Sequence, residues 1–126
     1  MNLLDLFRDW EDVVQFKART VIFSEQDEAD VMYIVLSGEV ELTLHGEPLG
    51  AEGEGGIVGE MAMINSARRS ATATTLSKVK LARLNRDQFR AFVSGNTDFS
   101  FHVMAVLANR LRAVDKYITT QFAQFR

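Results

Sequence analysis

Apolar positions recur along this chain in three textures. From Asn2 to Trp10, Leu3, Leu4, Phe7 and Trp10 stand at helical spacing with polar residues between them, which predicts a short N-terminal helix within residues 1–12. From Val13 the pattern shortens to runs rich in Val, Ile, Phe, Tyr and Thr, separated by polar or glycine-bearing turns. Val13–Lys17, Thr20–Phe23, Met32–Ser37, Val40–His45, Ala71–Leu76 and Val79–Leu84 each predict a strand. Gly38 in "SGEV" and Gly46 in "HGEP" fit hairpin turns, whereas the glycine-rich "LGAEGEGG", Leu49–Gly56, reads as loop. After Asn85 the helical period returns. "NRDQFRAFV" places Phe89, Phe92 and Val93 on one face behind Asn85 as N-cap, and a break follows at Ser94–Asp98. A second helix then runs from Phe99 to about Thr120. In it Met104, Leu107, Leu111, Val114 and Ile118 alternate three and four apart, a coiled-coil-like seam.

This order predicts one domain over residues 1–126, mainly β with flanking helices. An antiparallel β-barrel of jelly-roll type, with a cupin-like outline, spans 13–85, and two C-terminal helices span 86–120. No repeat, low-complexity tract or linker divides the chain. With 47% hydrophobic and 25% charged residues it has the makings of one ordered core. A formal net charge of −3 argues against the positive field that nucleic acid binding uses, so no direct nucleic-acid contact is expected. The absence of cysteine excludes disulfides, thiolate metal sites, iron–sulfur clusters and a cysteine nucleophile. His45 and His102 lack metal-ligand spacing, which sets aside the metal chemistry of cupin-type barrels, and no G-x-S-x-G elbow is present. No metal, no cofactor and no enzymatic activity are expected. "MNLLDLFRDW" carries acidic residues inside its apolar stretch and is no secretory signal; no apolar run nears the roughly 18 residues of a membrane span. The expectation is a cytoplasmic protein without membrane contact.

The stretch Gly56–Thr74, "GIVGEMAMINSARRSATAT", holds the candidate chemistry. If Glu60–Ile64 forms a helical turn after Gly59 and Arg69–Thr74 returns as a strand, the unpaired amides of that turn make an anion site. Gly59 then lets a phosphate approach the backbone. An arginine brought back against the site grips two phosphate oxygens with its planar fork. Glu60 beside an anion suits a sugar hydroxyl, so carboxylate, amides and arginine together match a ribose joined to a phosphate.

The same stretch resembles the phosphate-binding cassette of the cyclic nucleotide-binding domains in catabolite-activator-type regulators and cyclic-nucleotide-dependent protein kinases. That cassette reads roughly G-E-x-A-L-x(5)-R-[AST]-A, and here the positions are Gly59, Glu60, Met61, Ala62, Met63, five residues to Arg68, then Arg69, Ser70 and Ala71. The spacing singles out Arg69 over Arg68. "MYIVLSGEVEL" and "VKLARLNRDQF" are similar to the family's central hairpin and to its last strand entering a helix. The resemblance implies that Glu60 binds the ribose 2′-hydroxyl, Arg69 the cyclic phosphate, and amides near Met61, Ala62, Ser70 and Ala71 the other phosphate oxygens. It implies cAMP as ligand, with cGMP open because Ser70 suits either base. It further implies a homodimer through residues 104–118, with Arg112 or Asp115 facing the base. The chain departs from the family at Gln26 before Asp27 and at Gly56, both in turns.

Plainer readings stand beside these. Arg68 reads as a solvated charge; Arg69 alternatively pairs with Glu60 at the surface; Glu60 alternatively favours a helix start; Met61 and Met63 fill apolar space. The residues and the resemblance therefore point to a cyclic-nucleotide sensor that repositions its C-terminal helix; with no output domain expected within residues 1–126, it acts either through a partner in trans or as the regulatory part of something longer. The alternative is a scaffold protein with the same barrel and no nucleotide binding.

Overall fold

The computed structural model describes residues 2–65 and 68–123. A short helix α1 (Leu3–Leu6) precedes strands β1 (Val13–Phe16), β2 (Val21–Phe23), β3 (Val31–Ser37), β4 (Val40–Leu44), β5 (Glu47–Glu52) and β6 (Ile57–Val58). A five-residue helix α2 (Met61–Asn65) then leads to β7 (Thr72–Thr75) and β8 (Val79–Asn85), followed by α3 (Arg86–Gly95) and α4 (Thr97–Ala123). The strands form two antiparallel four-stranded sheets, ordered β1-β8-β3-β6 and β2-β7-β4-β5, which is the expected jelly roll.

Strand β3 shows why its sequence is an unbroken apolar run. Met32 and Ile34 join a core with Phe7, Leu84, Phe89 and Phe99 on the helical side. Tyr33 and Val35 join Phe23, Val40, Leu42, Ala73 and Leu81 between the sheets. The first sheet is thus covered on both faces, so alternation gives way to continuous hydrophobicity.

The helix ends follow local chemistry. Asn85 caps α3: its Oδ1 accepts from the Gln88 amide at 2.8 Å, and its own amide donates to Gln88 Oε1 at 2.8 Å. The expected break over Ser94–Asp98 shrinks to Asn96, whose Oδ1 accepts the Phe99 amide at 2.9 Å and so starts α4 at once. The N-terminal helix is shorter than its period suggests. It ends at Leu6, and Trp10 is instead anchored by its indole N–H donating to the Arg83 carbonyl at 2.7 Å.

One strand, β5, corrects the first half of the reading of Leu49–Gly56 as loop, and a second, β6, follows that stretch where no strand was expected. β5 is an edge strand, held to β4 by backbone pairing with most of its side chains exposed, and Pro48 is tolerated there because an edge leaves one side of the backbone unpaired. β6 has two residues, both buried, paired with Tyr33 and Ile34. The β4–β5 turn takes positive φ at His45 (51°) and Gly46 (80°), the two-residue form that matches strand twist.

The β3–β4 hairpin imposes the strictest backbone demand. Gly38 has φ of 85°, and a Cβ there would overlap the Lys78 carbonyl oxygen and stand 2.8 Å from Val79 Cγ1. Neither the left-handed backbone nor the neighbouring carbonyl yields cheaply. Gly38→Ala is expected to lower stability by about 2 kcal/mol or more, read as a lower urea midpoint; an unchanged midpoint would contradict this account.

Candidate functional site

The site begins where β6 ends. Gly59 has φ of 79°, and a Cβ there would fall on Arg69 Nη1. The sequence reading reserves this space for a phosphate; the structure gives it to the guanidinium of Arg69. Arg69 is held through its backbone by the β2–β3 connection: its amide donates to the Asp27 carbonyl and its carbonyl accepts the Gln26 amide, both at 2.9 Å. Its side chain turns inward and is only 4% exposed.

The partners of that guanidinium are unusual for a buried cation. Nη2 donates to the Val31 carbonyl at 2.7 Å and Nη1 to the Gly59 carbonyl at 3.3 Å. The group lies 4.1 Å from the centroid of the Phe23 ring. Nε is buried without a hydrogen-bond partner, and no carboxylate pairs with Arg69 among the described residues. Burial pulls its pKa down, with Tyr33, Asp30, Asp27 and Glu60 working against that. The surface pair with Glu60, the plainer alternative for Arg69, does not form. Arg68 stays outside: it donates to the Gln26 carbonyl at 3.0 Å and lies 3.6 Å from Glu28.

Glu60 is 2% exposed and belongs to a second polar cluster. Arg110 on α4 reaches it with Nε at 3.4 Å, donates through Nη1 to Glu52 Oε1 at 2.8 Å, and donates through Nη2 to the Ile57 carbonyl at 2.7 Å. One side chain therefore ties α4 to β5, β6 and the cassette. Sequence reasoning missed Arg110. The signal lay in the inner face of α4: stepping from Phe99, Val103 and Val106 by fours and threes reaches Arg110, Val114 and Tyr117.

Gly59, Glu60, Met61, Ala62, Arg69, Ser70 and Ala71 line one cavity, and Arg110 joins them at its polar end. Phe23, Leu42, Leu44, Leu49 and Val114 supply the rest of the wall. Arg112 and Asp115, expected to face a base, do not line it. Arg112 is exposed and donates to Asn109 Oδ1 at 2.8 Å; Asp115 is exposed on the outer face of α4. The helix roll set by Phe99 and Val103 places Arg110 and Val114 there instead. The same roll divides the expected seam: Leu107 and Val114 turn inward, while Met104, Leu111 and Ile118 stand exposed with Phe101 and Phe122. Among the described residues no cluster of metal ligands occurs, and no helix is long and apolar enough to cross a membrane.

Burial holds the Glu60 carboxyl above its ordinary value of 4.5, with Arg110 pulling the other way. A carboxyl whose folded pKa is raised contributes stability below the unfolded value and loses it as pH rises through the folded one. Wild-type protein is therefore expected to lose stability from pH 4.5 upward relative to Glu60→Gln. Urea unfolding across pH measures this, and parallel stability curves would contradict it.

The family model for the cyclic nucleotide-binding domain matches residues 13–96. A CRP-like cAMP-activated global transcriptional regulator of Mycobacterium tuberculosis is 30% identical over 105 residues, covering 79% of this chain and 46% of the regulator. Two solved structures of the EAL enzyme Bd1971, a cAMP-bound and a cGMP-bound form, are 36% and 38% identical, with TM-scores of 0.63 and 0.61. They cover 90% and 80% of this chain, and 32% and 28% of that enzyme's chain. The chain spans less than half the length of each of these relatives. With a jelly roll, a cassette at the expected spacing and a family match over two-thirds of its length, the chain belongs to the cyclic nucleotide-binding domain family.

Proposed function

We propose that this domain is a cyclic-nucleotide sensor, taking cAMP and also cGMP, with no catalytic role of its own. The observation that carries the reading is Arg69, a residue of the cavity wall: its guanidinium is buried and partnered by carbonyls and a ring, with Nε unpaired. A cation kept from water without a carboxylate is costly, and a cyclic phosphate supplies the missing charge. Glu60 at the same cavity accepts the ribose 2′-hydroxyl, and backbone near Met61, Ala62, Ser70 and Ala71 meets the remaining phosphate oxygens. The relative solved with both cAMP and cGMP supports either purine as ligand.

Signalling follows from Arg110. A ribose hydroxyl on Glu60 competes with or reinforces the Arg110 contact, so ligand biases how α4 docks on the barrel. The outer stripe of α4, Phe101, Met104, Leu111, Ile118 and Phe122, has Met104, Leu111 and Ile118 at heptad spacing and fits a second copy of the same helix. The proposed unit is a homodimer, passing its state to an effector in trans or in a longer chain. The second reading, a scaffold without ligand, draws on Glu60 already being engaged by Arg110.

Calorimetry separates the two readings. Wild-type protein is expected to bind cAMP, and Arg69→Gln, checked for folding by thermal unfolding, is expected to lose at least about 100-fold in affinity. No binding of cAMP or cGMP at high micromolar concentration, or unchanged affinity in the variant, would leave the scaffold. Light scattering is expected to give twice the chain mass of 14.2 kDa. Leu111→Glu, at a position 72% exposed, is expected to give the monomer without loss of fold; a wild-type monomer with and without ligand would refute the pairing.

A further inference from the structure

We propose that Val114 makes this site tolerant of the base, so that 3′,5′-cyclic nucleotides of adenine, guanine, cytosine and uracil bind with comparable affinity. The inference rests on the cyclic-nucleotide reading above and concerns what that reading leaves open, the part of the cavity beyond phosphate and ribose.

The charged groups of the cavity are committed elsewhere. Arg69 faces the Val31 and Gly59 carbonyls, and the donors of Arg110 go to Glu52, the Ile57 carbonyl and Glu60. Phe23, Leu42, Leu44, Leu49, Met61 and Val114 make most of the remaining wall, and none of these side chains has a strong donor or acceptor able to read a base edge. Among the described residues Ser70 is the one that brings a hydroxyl to the cavity lining, and its Oγ stands 3.5 Å from the Met61 sulfur. The helix that closes the cavity presents Val114 there, while Arg112 and Asp115, which carry hydrogen-bonding groups, are on its exposed side.

The consequence for selectivity is quantitative. A pocket that hydrogen-bonds its ligand rejects an analogue lacking the matching group by about 10,000-fold or more, because buried partners are left unpaired. An apolar wall leaves nothing unpaired and separates ligands by fit alone, about 10- to 200-fold for small changes of size. Here phosphate and ribose supply the shared affinity, and the base contributes apolar contact that all four bases can make.

Displacement of a fluorescent cyclic nucleotide by cAMP, cGMP, cCMP and cUMP tests this on the whole chain. All four affinities are expected to fall within about 100-fold of one another. A wider separation among ligands that do bind overturns base tolerance alone and leaves the sensor standing. Failure of all four to bind overturns the sensor, and this inference with it. Val114→Thr, nearly the same shape with a hydroxyl in place of one methyl, and Val114→Gln, with a longer polar reach, test the residue itself. At least one is expected to change the cAMP-to-cGMP affinity ratio by about fivefold or more. An unchanged ratio in both variants overturns the assignment to Val114.

Discussion

A guanidinium kept out of water without a carboxylate is the constraint from which the rest of this fold can be read. Arg69 is tolerable where it sits because three separate parts of the chain converge on it. β2 supplies the Phe23 ring, the start of β3 the Val31 carbonyl, and Gly59 both a carbonyl and the room that a side chain would have filled. Its backbone is pinned by the Gln26–Asp27 turn. Carbonyl dipoles and an aromatic face offset part of the desolvation of a charge, and leave the charge itself uncompensated. In the proposed sensor, what completes the site is the anion of a cyclic nucleotide.

The Glu60 cluster has the opposite character. Its charges are paired within the protein, Arg110 lying between Glu52 and Glu60, and it links β5, β6 and the cassette to a helix distant in sequence. Such a pairing is conditional. The desolvation that raises the Glu60 pKa makes its carboxylate a strong acceptor for any donor that comes near, and Arg110 stands closer to Glu52 than to Glu60, at 2.8 Å against 3.4 Å. Two acidic groups share one cation, and a change at either alters what the helix gains from docking.

How much of this was legible depends on which physical signal each part carries. The barrel was, because Val, Ile and Phe runs broken by Gly38 and Gly46 record a pleated, two-sided core. β5 was not, since an edge strand with outward side chains owes its existence to backbone hydrogen bonds that no side-chain pattern encodes. The cassette could be located through spacing, and of its two arginines it is Arg69, the one the spacing singles out, that lines the cavity. The reason for Gly59 was not: the sequence shows a residue without a side chain, and only the fold shows that an arginine ten positions later needs the room. On α4 the apolar stripe was visible but its phase was ambiguous, because two apolar faces lie side by side on one helix. Leu107 and Val114 were therefore grouped with Met104, Leu111 and Ile118, and Arg112 and Asp115 were assigned to the wrong side.

That ambiguity has a physical meaning. α4 carries no glycine or proline over its 27 residues, so it moves as one body. Arg110 looks into the cavity and Leu111, the next residue, looks outward, about 100° further around the helix. A change in roll or tilt made at Arg110 is thereby a change in the presentation of Met104, Leu111 and Ile118, with no intervening hinge to absorb it. In the proposed sensor, coupling between ligand and partner needs no long pathway through the barrel, because one rigid rod forms a wall of the site and also carries the surface offered to a second copy.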